Sequence, residues 1–128
     1  MINSALQKSS EMWYSYITTE LDNNNAVMAK VTTDPHSPWF SGHFPGDPIL
    51  PGVAQLQMVT ASIAKVLQQE FVLQSITRIK FRKLIRPGDV LDIHAGTGKK
   101  ENHYSFHITS KQQEVCSGRL VLVPKKEQ

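Results

Sequence analysis

Over most of the chain, apolar and polar residues alternate in short runs, and one longer run breaks that rhythm. From Val53 to Leu67 there is no glycine or proline and apolar residues dominate, which predicts a helix of about four turns. Around it the periodicity is that of strands. Met12–Thr19 is aromatic and β-branched, and Ala26–Thr32 predicts a returning strand after the turn residues Asp22-Asn23-Asn24-Asn25. Downstream, the alternation from Ile76 to Lys83 sets Ile79 and Phe81 on one face and Arg78, Lys80 and Arg82 on the other. Arg86-Pro87-Gly88-Asp89 reads as a turn, Val90–Ala95 as a strand, and Gly96 to Asn102 as a hairpin loop. Tyr104, Phe106 and Ile108 form the apolar face of the next strand. In Val115–Val123, Cys116, Gly118, Leu120 and Leu122 oppose Val115, Ser117, Arg119, Val121 and Val123. Residues 1–11 are polar and read as loosely ordered or a short helix.

The count is two strands, a loop, one long helix, then four strands in antiparallel succession. Such an apolar helix needs cover on most sides, which a curved antiparallel sheet wrapped around it supplies. The class is α+β, and 128 residues suit one domain. One helix in one sheet leaves open edges, which predicts dimerisation through an edge strand.

The stretch least able to form regular structure is Gly42-His43-Phe44-Pro45-Gly46-Asp47-Pro48-Ile49-Leu50-Pro51-Gly52, with three prolines and three glycines in eleven residues. It carries a histidine and delivers the start of the helix. A base and a cluster of free N–H groups at a positive dipole end therefore come together, and this is the candidate site.

Composition narrows the partners without choosing one. The net charge of +3 favours an acidic partner but is too small to argue for nucleic acid, and no nucleotide loop or aromatic base platform is present. The single cysteine, Cys116, excludes an internal disulfide and a cysteine-rich zinc site, and reads as core. His36 reads as a solvated loop residue, while His103 and His107 share a strand face without a third metal ligand. The N-terminal stretch lacks an apolar signal region and no run reaches membrane-spanning length, so a cytoplasmic protein with no membrane partner is expected.

Gly42 to Val53 resembles the signature of the β-hydroxyacyl-ACP dehydratases of type II fatty-acid synthesis, the FabA/FabZ group. Ile79 to Asp89 is similar to that family's basic strand and its Pro-Gly-Asp turn, and the likeness covers roughly residues 12–123. The resemblance implies a hot-dog fold, a long helix wrapped by an antiparallel sheet and paired as a dimer, with no cofactor or metal. It implies His43 as the catalytic base, oriented by the carbonyl of Ile49, and Gly52 as the N–H donor to the thioester carbonyl. The family's second catalytic group is a carboxylate fourteen positions after the histidine, reaching the site from the partner subunit; here that position is Gln57.

The implied activity is removal of water from a 3-hydroxyacyl thioester carried on ACP or CoA. A histidine takes the C2 proton near neutral pH, and the helix start stabilises the enolate. An amide at position 57 can hold the leaving hydroxyl but cannot supply a proton. Phe44, Pro45, Gly46, Ile49 and Val53 would line the substrate site. Ala54, Ala61 and Ala64 flank Gln57 as a small-residue stripe, either the wall of an acyl channel or a means of close packing. Arg78, Lys80 and Arg82 would meet an acidic acyl carrier protein or a pantetheine phosphate, or simply form a solvated face. Alternatives are a non-catalytic carrier-binding subunit paired with an active homologue, and an acyl thioesterase; the expected assembly is a homodimer or mixed dimer, or a higher oligomer.

Overall fold

The computed structural model describes residues 13–36 and 50–126. In chain order these form β1 (Tyr14–Leu21), β2 (Val27–Thr33), α1 (Gly52–Leu67), β3 (Phe71–Phe81), β4 (Val90–Thr97), β5 (His103–Ser110) and β6 (Gln113–Pro124). The strands make one antiparallel sheet in the order β1-β2-β4-β5-β6-β3. Two strands, one long helix and four strands are as the sequence implies.

Their succession is not. β3 does not neighbour β4; it pairs with β6 at the far edge, and β4 lies beside β2. The helix separates β2 from β3 in the chain, so the strand leaving it joins the opposite side of the sheet. Alternation tells which side chains face inward but not which strand lies alongside.

Inward faces follow the alternation closely. Val27, Ala29 and Val31 of β2, Leu91, Ile93 and Ala95 of β4, Tyr104, Phe106 and Ile108 of β5, and Cys116, Leu120 and Leu122 of β6 are all buried. They meet Ala54, Met58, Val59 and Ile63 of α1 in one core. Gly118 shares that face because a Cβ there would collide with Ile79 and crowd Phe106. Ser62, enclosed in the same helix face, donates to the Met58 carbonyl at 2.7 Å and pairs with the Tyr16 hydroxyl at 3.2 Å, tying β1 to the helix. The helix ends where Gln68 turns left-handed (φ 55°), at the polar run Gln68-Gln69-Glu70.

β3 departs most from expectation. It begins five residues before Ile76 and ends at Phe81. Its register slips between Thr77, opposite Arg119, and Lys80, opposite Ser117, so two residues face one across the ladder. Arg78 has a φ of 55° in this β-bulge. As an edge strand, β3 also shows Val72, Leu73, Ile76 and Phe81 to solvent, with Val53 and Leu84 exposed as well.

Candidate functional site

The site begins where α1 does. Pro51 is the N-cap (φ −61°, ψ 154°) and has no side-chain cap to offer. Its carbonyl accepts the N–H groups of Ala54 (3.1 Å) and Gln55 (3.2 Å). Among the described residues nothing accepts the N–H of Gly52 or Val53. Two donors are thus left at the positive end of a sixteen-residue helix.

The backbone leading to this point is held on both sides. Leu50, itself buried, donates its N–H to the Ile85 carbonyl at 2.8 Å and accepts Gln55 Nε2 at 3.2 Å. The Phe81 ring lies against Gly52, where an added Cβ would come within 2.7 Å of Phe81 Cζ. Gly52 has no left-handed φ, so closeness of approach, not backbone freedom, is what a side chain would disturb.

Gln57 is exposed. Five residues along an α-helix turn a side chain by about 140°, so Gln57 points well away from the Gly52 end of its own chain. Val53, 55% exposed, shares this uncovered side. Ala54 leaves the expected stripe: it is wholly enclosed in the core, because the arc turned to the sheet runs through Ala54, Met58, Val59, Ser62 and Ile63. Ala61 and Ala64 are only half-buried. Ala61 borders a cavity of about 390 Å³ with Tyr14, Tyr16 and Lys65, and both alanines border a neighbouring one of about 400 Å³.

Arg78, Lys80 and Arg82 come together on the outer face of the sheet around a groove of about 430 Å³, joined by Arg119, Ser105 and His107. Glu114 is the acidic group in that groove, and it is bound on both sides: His107 Nδ1 lies 2.7 Å from Oε1, and Arg82 Nε donates to Oε2 at 2.5 Å. The His107 bond, then the Arg82 bond, hold its carboxyl below the usual carboxylate range. His103 instead faces the Glu101 carbonyl at 2.9 Å. Among the described residues no group of three or more His, Cys, Asp or Glu side chains could hold a metal, and no helix is long and apolar enough to cross a membrane. Cys116 is fully enclosed, and burial followed by the Glu114 charge pushes its thiol up to about 11. It is a neutral core residue at physiological pH. His43, Phe44, Pro45, Gly46 and Ile49 lie outside the described residues.

Three participants were not singled out from the sequence. Arg119 could have been found, since it occupies the outward register of β6. Gln55 also left a signal, as a polar residue on the arc shared by Met58, Val59 and Ser62. Nothing local foretold that the Phe81 ring would rest on Gly52.

Comparison with known proteins agrees with this fold. The profile of the ApeI-like family, described as ApeI dehydratase, matches residues 19–119. A 3-hydroxyacyl-[acyl-carrier-protein] dehydratase FabZ of Pediococcus pentosaceus is 32% identical over 114 residues, 81% of this chain and 76% of that protein. The dehydratase heterocomplex ApeI:P from Xenorhabdus doucetiae superposes with a TM-score of 0.77 at 29% identity, covering 88% of this chain and 99% of that one. A hypothetical thioesterase protein with coenzyme A from Streptococcus pneumoniae, 16% identical, shares the fold with a TM-score of 0.60 over 90% of each chain. The helix laid in a six-stranded antiparallel sheet is the hot-dog fold, and this chain belongs to the FabA/FabZ-like dehydratases as a member of the ApeI-like family.

Proposed function

We propose that the protein is a 3-hydroxyacyl thioester dehydratase in which Gly52 N–H receives the thioester oxygen and His43 removes the C2 proton. The observation that carries this reading is the uncapped start of α1, where two N–H groups have no acceptor among the described residues. A thioester oxygen placed there gains charge as the enolate forms, and a preorganised donor at a helix N-terminus stabilises that charge more than the ground state. His43, nine residues before Gly52 in a segment matching the family signature, is the base by that family's pattern. Its imidazole then carries the proton to the departing hydroxyl, so elimination balances as one water lost.

Gln57 acts from a second copy. Its side chain points away from its own Gly52, and β3, at the edge of the sheet and unpaired on one side among the described residues, carries exposed apolar side chains on which another chain can pair. As an amide, Gln57 holds the hydroxyl without protonating it. Arg78, Lys80, Arg82 and Arg119 make the outer groove a docking face for an acidic carrier.

A second reading is favoured by Gln57 itself together with the similarity to a dehydratase heterocomplex. In it the partner is a different chain that contributes the missing carboxylate. One experiment separates the two. The purified protein is incubated with a trans-2-enoyl thioester on ACP or CoA, and the product is scanned by mass for added water, with His43→Ala as control. Hydration lost in His43→Ala supports the homodimeric enzyme. No hydration until Gln57→Glu is introduced moves the assignment to a mixed complex. Free thiol released without hydration would mean thioester hydrolysis instead.

A further inference from the structure

We propose that Gln55 is a positioning residue for the Gly52 N–H, clamping the two peptide units from which α1 starts. This rests on the role of Gly52 as donor given above.

Gln55 is only 4% exposed and lies on the helix arc turned to the core, beside Ala54, Met58 and Val59. Its Nε2 donates to the Leu50 carbonyl at 3.2 Å, while its Oε1 is buried with no partner among the described residues. The orientation of the amide follows from chemistry, because a carbonyl oxygen can only accept and so must face the NH₂ group. A methionine or leucine would fill the same space but could not donate to the Leu50 carbonyl, so packing does not account for the choice.

What the amide does is visible in its two contacts. The side chain holds the oxygen of the Leu50–Pro51 peptide, and the backbone N–H of the same residue holds the oxygen of the Pro51–Gly52 peptide at 3.2 Å. Gly52 N–H belongs to that second peptide plane and points opposite to its carbonyl. Between the two planes the only backbone rotations are those of Pro51, whose φ is locked by its ring. Leu50 is fixed from behind by its own N–H bond to Ile85. Gln55 thereby fixes the entry to the helix and leaves its first N–H groups uncapped. It determines where the Gly52 N–H aims without touching substrate.

The test is Gln55→Met, which keeps the volume and removes the donor to Leu50. Three quantities are read: kcat and KM for hydration of a 2-enoyl thioester, the melting temperature, and the ¹H–¹⁵N signal of the Gly52 amide. The expected result is a roughly 10- to 100-fold fall in kcat with KM little changed, a modestly lower melting temperature because the buried Leu50 carbonyl loses its donor, and a displaced or broadened Gly52 signal. A folded variant with wild-type kcat and an unmoved Gly52 signal overturns the proposal, as does a large loss of stability with unchanged kcat. Wild-type protein inactive on every thioester would refute the catalytic reading alone. The Gly52 signal then still decides the clamp: displaced, it supports it; unmoved, it overturns it. Should Gln55→Met fail to fold, Gln55→Glu carries the same test. Its carboxyl donates to the Leu50 oxygen only while protonated, so the Gly52 signal should move as that group ionises, and a signal that stays put overturns the proposal.

Discussion

Gly52→Ala is the substitution in which structure and chemistry give different expectations, which makes it the most informative. The added Cβ would sit 2.7, 3.1 and 3.2 Å from three atoms of the Phe81 ring. Ordinary carbon contacts start near 3.5 Å, so the ring must retreat by roughly 0.8 Å. Phe81 is 52% exposed at the end of an edge strand and can give way, at about 0.5–1.5 kcal/mol for a side chain pushed off its rotamer. Against this, alanine is favoured over glycine in a helix by up to about 1 kcal/mol. No left-handed φ at Gly52 adds strain. The two effects nearly offset, and the melting temperature should move by less than about 5 °C. Activity should not be spared in the same way. A methyl group beside the N–H narrows the approach of the thioester oxygen, and losing one such donor lowers kcat by roughly 10²–10³. Enoyl-thioester hydration followed by mass, alongside thermal melting, measures both. A variant within about threefold of wild-type kcat would refute the donor assignment, and a melting temperature lower by more than about 10 °C would refute the packing argument.

Other expectations can be checked independently. Cys116, enclosed and with its thiol raised to about 11, should resist iodoacetamide at pH 7.5 in the folded protein and react promptly in guanidinium. Asp22 accepts the N–H groups of Ala26 and Asn24 at 2.9 and 2.8 Å and pairs with His94 at 3.2 Å; these hold its carboxyl below the usual range, the backbone bond from Ala26 foremost. A depressed folded pKa stabilises above the unfolded value and is lost as pH falls through the folded one. The melting difference between wild type and Asp22→Ala should therefore be full at pH 7 and shrink below about pH 4. Paired charge reversal, Arg78→Glu with Arg119→Glu, should weaken acidic carrier binding in a salt-sensitive manner while leaving turnover of a small CoA-free thioester unchanged. Equal losses on both substrates would count against a docking role for the groove.

Much of this protein is decided along the chain itself. Inward and outward faces of β2, β4, β5 and β6 follow from side-chain alternation, a local property of extended backbone, and the structure keeps nearly every assignment. The helix is equally legible, since a glycine- and proline-free apolar run has few other uses, and its left-handed end falls in the polar residues that follow. The loop signature Gly42 to Val53 points to the family by itself. What only the tertiary structure decided concerns residues far apart in sequence. β3 went to the edge beside β6 because strand neighbours are chosen by packing around the helix, not by periodicity. The bulge at Arg78 arose from a register shift between two strands, which neither strand encodes alone. Ala54 was taken into the core although its small size resembled that of Ala61 and Ala64, because the sheet covers only one arc of the helix. The Phe81 ring over Gly52 and the Leu50 bond to Ile85 belong to the same class. Each depends on where a separate segment comes to rest, and spacing in the sequence carries no record of that.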